Sequence, residues 1–359
     1  MRIQRKPSHH SGPGTNWYQL LLVMLGTAFV TRQLSTASGA TRCHPDEEDY
    51  NPSVMMDSLS LPRLSDVLTL FSIDNAPREL QSSSSLRKPQ PQLEAARVSR
   101  MSKYNSTYQY KLPEGDWQQP SPECGAAPAF DSFFGLPQSE RSRFGEDQII
   151  YRTFFLDKTI VGGNYIELGA FDGRTESNSR FFDLCLGWKG LLIEGNPATF
   201  DRMQRARPRA HRMSFAPSCS AEYEAVNKTV QFAKYPMANA GIQGKAKTYD
   251  AKPMVAVPCG PLGPVLEDVF GERIHFMSLD VEGAEPMVLR TIDFSKIQID
   301  VLMVEVSNKF CGAVCPSRDE TRAIMKAAGY RRYEGLVLAS DVYVRPGSGL
   351  DVPGVAPVA

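Results

Sequence analysis

The sequence predicts an α/β domain, a mostly parallel sheet with helices on both faces and a hairpin at its C-terminal end. Two observations predict it. From Ile149 onward, short apolar runs alternate with helical patterns, as successive β-α units on a parallel sheet require. The connections between these runs are short, and no repeat of solenoid period competes with them.

Asn164 to Gly169 is a buried strand by its apolar content, and Glu176 to Leu186 follows it as a helix. Gly190 to Glu194 is a second strand, and Pro197 opens a second helix that runs to Arg205. Ala210 to Pro217 and Thr229 to Lys234 are predicted as further strands. Arg273 to Asp280 is a strong strand and Glu285 to Thr291 a helix; Ile299 to Val306 is again a strand. Arg318 to Ala328 is a helix that Gly329 closes, and Tyr330 to Glu334 with Val337 to Val344 form the hairpin. The domain is therefore placed at residues 145–346, with a flexible tail over 347–359.

The residues ahead of it have another texture. Arg2, Arg5 and Lys6 precede the apolar run Trp17 to Val30, and the small residues Ser35 to Ala40 follow. That order over residues 1–40 reads as a secretory signal, either cleaved or kept as an anchor, because the run is shorter than the about 20 apolar residues of a stable span. Membrane attachment, if kept, goes through residues 17–30. Residues 41–144 carry an acidic patch, a serine run and clustered prolines, with no sustained period, and read as a stalk or linker. Leu59 to Ile73 alone has amphipathic helical spacing.

Lys and Arg number 40 and Asp and Glu 40, so no global basic field exists to attract nucleic acid. A small-molecule or glycan partner fits that neutrality better. Seven cysteines lack paired C-x-x-C spacing, and their odd number leaves at least one thiol free or intermolecular. Cys311 and Cys315 are expected to form a local disulfide. Asn105-Ser-Thr and Asn227-Lys-Thr are glycosylation sequons, consistent with placement in the secretory lumen of the Golgi or endoplasmic reticulum, or with secretion.

In an open α/β sheet, ligands sit beyond the carboxyl ends of the strands where strand order reverses. The first strand ends in Glu167-Leu-Gly-Ala-Phe-Asp-Gly173, whose glycines let backbone approach a ligand, and Glu194 closes the second. A strand-end carboxylate there accepts hydrogen bonds from ribose hydroxyls, so glycine turn and acid specify an adenosine pocket. The turn lacks G-x-G-x-x-G, and Glu167 and Asp172 would repel a pyrophosphate while suiting a sulfonium and an amino group. That chemistry favours S-adenosylmethionine over NAD. A third strand delivers Asp280, Glu282 and Glu285 around Gly283. Asp280 and Glu282 are the catalytic candidates: either serves as base, as cofactor contact, or as ligand to a divalent cation, or both only orient the turn. No metal site is assigned. His275, in mid-strand, is expected to pack inside.

These three motifs carry a resemblance. Tyr165-Ile-Glu-Leu-Gly-Ala-Phe-Asp-Gly173 with Glu176-Ser-Asn178, Leu191-Leu-Ile-Glu-Gly-Asn-Pro197, and Leu279-Asp-Val-Glu-Gly-Ala-Glu285 resemble the FkbM family of methyltransferases. Gly145-Glu-Asp147, Phe154-Phe155 and Val301-Leu-Met-Val-Glu305 are similar to flanking segments of that family. The resemblance includes nothing before about Gly135. It implies a Rossmann-like class I methyltransferase fold, S-adenosylmethionine as methyl donor, and an oxygen acceptor on a carbohydrate or small metabolite. It further implies that Glu167, Gly169, Asp172 and Gly173 line the methionine end of the cofactor and that Glu194 holds the ribose. Asn178 would face the same pocket from the first helix, and Ser218 is an adenine neighbour or a plain loop serine. Between Cys219 and Gly271 the chain departs from the family pattern, and that insertion is expected to shape the acceptor site. The rival readings are a binding or trafficking module on the same fold without turnover, and a nicotinamide oxidoreductase.

Overall fold

The computed structural model describes residues 91–359 except 116–119, 159, 161, 246–252, 307–314, 351, 353–354 and 359. The signal-like segment and the Leu59 to Ile73 helix therefore lie outside the described residues.

Seven strands form the main sheet: β1 (Asn164–Leu168), β2 (Lys189–Ile193), β3 (His211–Met213), β6 (Arg273–Leu279), β7 (Gln298–Glu305), β8 (Arg331–Val337) and β9 (Ser340–Val344). Their order is β3-β2-β1-β6-β7-β9-β8, with β9 antiparallel to both neighbours and the other ladders parallel. The chain runs outward from β1 to β3, then returns to place β6 on the other side of β1. The reversal lies between β1 and β6, where a doubly wound sheet opens its ligand crevice. The other two strands, β4 (Thr229–Ala233) and β5 (Met254–Pro258), pair as a separate antiparallel ribbon.

Side chains along each central strand alternate between two cores, which is why these strands read as continuous apolar runs. Tyr165, Leu192, Phe276, Val301 and Met303 enter one core; Ile166, Leu168, Leu191, Ile193, Met277 and Leu302 enter the other. The first core holds α2 (Asp131–Phe134), α3 (Glu146–Ile150), α4 (Arg180–Leu184) and α5 (Pro197–Ala206) against the sheet. The second holds α1 (Pro91–Thr107), α7 (Gly263–Phe270), α8 (Glu285–Leu289) and α9 (Pro316–Ala327). Between β3 and β4 lies the short α6 (Ala221–Ala225).

Residues 91–144 differ from the linker reading. Tyr104 of α1 and Tyr108 just past its end are buried in the second core, and Tyr108 stacks on Phe215 with centroids 4.2 Å apart. Arg100 makes a bidentate pair with Asp268 at 2.7 Å, and the Tyr104 hydroxyl donates to the same carboxylate. Tyr104, buried, and Arg100, half-exposed, hold α1 to the domain, and their polar tips lower the hydropathy although their bodies pack as apolar groups. Phe130, Phe133 and Phe134 interlock with Tyr151 and Phe181, and a Cys124–Cys185 disulfide ties this stretch to the end of α4. A second disulfide joins Cys219 to Cys259. Cys315 is disulfide-bonded, while its expected partner Cys311 lies outside the described residues.

Helix α4 starts at Arg180, later than the predicted Glu176, because the Glu167 carboxylate draws the preceding loop to itself. No helix among the described residues is long and apolar enough to cross a membrane.

Candidate functional site

Three strand tips meet. The Gly169 and Ala170 amides donate to Ile193 O at the end of β2, and the Asp280 amide donates to Leu168 O at the end of β1. Gly169 has φ +77°, and a Cβ there would stand 1.8 Å from the Asp280 carbonyl oxygen, so only glycine lets β1 and β6 approach this closely.

Beyond the tips is a cleft of two lobes. The larger, about 550 Å³ and open to solvent, is bordered by Glu194, Gly195, Ala216, Ser218, Phe232, Met237, Ile242, Asp280 and Glu282. The smaller, about 400 Å³, is bordered by Glu167, Phe171, Asn178, Ser278 and Asp280. Leu168, Gly169, Ala238 and Asp280 border both lobes. The switch point of the sheet is therefore the waist of the cleft.

Glu194 is buried, and its two carboxylate oxygens accept from the Phe171 amide at 2.8 Å and the Asn196 amide at 2.6 Å. Burial outweighs those bonds and pushes its carboxyl up to about 7. Each oxygen retains acceptor capacity toward the lobe, as a vicinal diol needs. Ser218 borders the same lobe beside the Cys219–Cys259 disulfide.

In the smaller lobe, Glu167 accepts from the Ser177 hydroxyl at 2.8 Å, the Ser179 hydroxyl at 2.6 Å and the Asn178 amide at 2.7 Å. Its carboxylate thus organises the loop that carries Asn178. The Asn178 side chain donates to Ser278 Oγ at 3.1 Å, while its Oδ1 is buried without a partner. An orphaned acceptor on a cleft wall suits a donor from a ligand, such as an α-ammonium group.

Asp172 and Gly173 do not border either lobe. Asp172 accepts from the Arg174 and Thr175 amides at 3.0 and 2.8 Å, building an Asx turn. Gly173 has φ +76°, and a Cβ there would meet Arg207 Cγ at 2.8 Å. Both shape the turn from within.

Asp280, Glu282 and Glu305 bring carboxylate oxygens within 4.8 Å of one another, a spacing that serves a shared proton or a divalent cation. Glu282 has φ +57°, so the strand alternation ends at this turn. Glu285 holds the turn: its Oε1 accepts from the Val281 and Gly283 amides, both at 3.0 Å. Asp280 is raised well above the carboxylate range by burial and then by the neighbouring Glu305 charge. Burial and the Asp280 charge push Glu282 up to about 8; burial and the Glu282 charge push Glu305 up to about 7. Acids this close cannot all ionise near neutrality.

Glu305 is the site residue that sequence reasoning left without a role. Leu279 pairs with Val304 in the β6–β7 ladder, so the next residues, Asp280 and Glu305, face each other at adjacent tips. Its signal was an acid closing a buried strand, and only the register tells which acid it meets. The insertion after Cys219 also lands differently: Phe232, Met237 and Ile242 border the Glu194 lobe. His275, expected to pack inside, is half-buried, with its ring Nδ1 2.9 Å from Asn164 Oδ1.

Residues 167–332 match the family model of the methyltransferase FkbM domain. No curated protein matches the chain. Among solved structures, it is similar to a TehB-like SAM-dependent methyltransferase from Corynebacterium glutamicum, at 11% identity and TM-score 0.32, over 56% of this chain and 88% of that one. It is also similar to an O-methyltransferase from Bacillus cereus in complex with SAH, at 9% identity and TM-score 0.32, over 59% and 85%. Residues 167–332 thus form a methyltransferase FkbM domain, and the cofactor of that domain is S-adenosylmethionine.

Proposed function

We propose that the chain methylates a hydroxyl oxygen of a carbohydrate or small metabolite within the secretory pathway. The observation that carries the reading is the position of Asp280, at the waist between the two lobes and beside Glu282 and Glu305. S-adenosylmethionine, when bound, supplies an electrophilic methyl group on a sulfonium. Glu194 would hold the ribose in the larger lobe, and Asn178 Oδ1 would accept from the amino group in the smaller. The waist acids have the task left over, taking the proton that a hydroxyl must lose. A carboxyl poised near 7 to 8 is suited to that step at neutral pH, while an ordinary carboxylate is too weak a base. Orientation supplies much of the remaining rate, because methyl transfer is an in-line displacement.

Luminal placement is supported by the signal-like residues 1–40 and by the Cys124–Cys185 and Cys219–Cys259 disulfides, since such bonds persist in oxidising compartments. Attachment to the membrane through residues 17–30 and the absence of a nucleic-acid partner belong to the same reading.

The test is calorimetric titration of the protein with S-adenosylmethionine and with NAD, beside Glu194→Ala, followed by transfer of a labelled methyl group to neutral glycosides. Heat with the methyl donor and none with NAD is expected, and Glu194→Ala should abolish most of it. Binding without transfer to any hydroxyl would return the reading to a non-catalytic module on the same fold.

A further inference from the structure

We propose that Asn227 carries an N-linked glycan that covers the exposed apolar surface of Tyr223 and Val226. The inference rests on the luminal placement above and concerns a face of the domain outside the cleft walls.

Asn227 and Lys228 lie between α6 and β4, Thr229 opens β4, and all three are exposed. Asn227 has φ +51°, a left-handed conformation that asparagine tolerates at the end of a helix. Its backbone amide closes α6 by donating to Glu224 O at 2.9 Å. The cap is therefore made by main chain alone. The Asn227 side-chain amide makes no hydrogen bond among the described residues, so it projects with nothing to release before it is modified.

The neighbourhood supplies a second, independent observation. Val226 is 72% exposed and Tyr223 49%, and both stand within a turn of the sequon. Helix α6 buries no residue. Single exposed apolar side chains are ordinary, but a helix that buries none of its residues and presents two beside an acceptor sequon suits a surface covered by sugar. Lys228 Nζ lies 3.6 Å from the Tyr223 ring centroid. The other sequon is placed differently. Asn105 and Thr107 lie in the last turn of α1, where residues two apart point to different sides of the helix.

The modification forms a bond between Asn227 Nδ2 and the anomeric carbon of a lipid-linked oligosaccharide. The bond from that carbon to the lipid pyrophosphate breaks, the pyrophosphate leaves with its lipid, and the amide loses one proton to the transferase.

The experiment expresses the full chain, Asn227→Gln and Asn105→Gln in mammalian cells, with and without endoglycosidase. Gel mobility, maleimide labelling of the denatured, unreduced chains and light scattering of the purified proteins are read. The expected result is a glycosidase-sensitive step that Asn227→Gln removes and Asn105→Gln leaves, with at least twofold more self-association once the step is gone. A step insensitive to Asn227→Gln overturns the site. No step while the cysteines resist labelling overturns the site and leaves the luminal reading standing; no step with freely labelled cysteines overturns both. Loss of the step with unchanged scattering overturns the covering role.

Discussion

The carbonyl oxygen of Asp280 occupies the space that a side chain on Gly169 would need, with 1.8 Å between it and an ideal Cβ. The same strand tips are tied by the Asp280 amide to Leu168 O. Gly169→Ala therefore meets backbone that cannot rotate away. The left-handed φ of +77° alone costs about 1–2 kcal/mol for an L side chain, and parting the tips adds to it. A lowered melting midpoint is expected, together with at least tenfold weaker S-adenosylmethionine binding by calorimetry. Unchanged affinity would show that the waist does not position the cofactor.

Glu194 makes cofactor affinity depend on pH. Its carboxyl is pushed up to about 7 by burial, so the charged form that best accepts two ribose hydroxyls is lost on acidification. Affinity should fall about tenfold for each unit below that value, the worth of one pKa unit, and level off above it. Glu194→Gln should bind weakly and without this slope. Folding has the opposite sense. A carboxyl raised in the folded state binds more protons there than in the unfolded chain, so its contribution to stability falls as pH rises from about 4.5 to 7. Calorimetric titrations and thermal melts across that range read both signs in one protein.

The acids at the waist separate by role. Asp280→Asn should lower kcat by about 10² to 10⁴, the usual contribution of a positioned base, with cofactor affinity little changed. Glu305→Gln removes the neighbouring charge that raises Asp280, so the alkaline rise of the rate should move to lower pH. An unshifted pH profile in Glu305→Gln would show that the two do not titrate together.

Much of this site was legible in the sequence, because strand ends mark their own positions. Glu194 and Asp280 close apolar runs, and a parallel sheet gathers those ends at one edge. Glu305 closes such a run too, but its meeting with Asp280 depends on register, which no local pattern encodes. An acid in a glycine turn suits a cationic ligand and an Asx turn equally well, and Asp172 builds the Asx turn. Helix α1 was missed because Tyr104 and Arg100, which tie it to Asp268, are residues that hydropathy counts as polar.

The Cys124–Cys185 disulfide spans 61 residues and anchors the stretch before α2 to the end of α4. Replacing both cysteines by serine frees a long loop in the unfolded chain and should cost about 2–5 kcal/mol. The loss should appear in thermal melts, with S-adenosylmethionine affinity retained, since neither cysteine borders the cleft. The Cys219–Cys259 pair differs in adjoining Ser218, and its replacement should weaken binding as well as folding.

Arg207 decides whether the cofactor loop keeps its shape. Its guanidinium is fully buried and pairs with Asp183 at 2.6 Å, and it donates to the Gly173 carbonyl, Ser177 Oγ and the Tyr165 hydroxyl. Ser177 and Ser179 in turn hold Glu167, so one cation links α5 to the loop that carries Asn178. Arg207→Ala leaves the buried Asp183 carboxylate with only the longer Arg209 contact at 3.8 Å, which should cost about 3–5 kcal/mol. Arg207→Met with Asp183→Leu removes both charges while keeping volume, and should recover much of that loss in a denaturant titration. If the double variant regains stability without regaining cofactor affinity, Arg207 positions the loop beyond merely filling the core. If both return together, packing alone accounts for it.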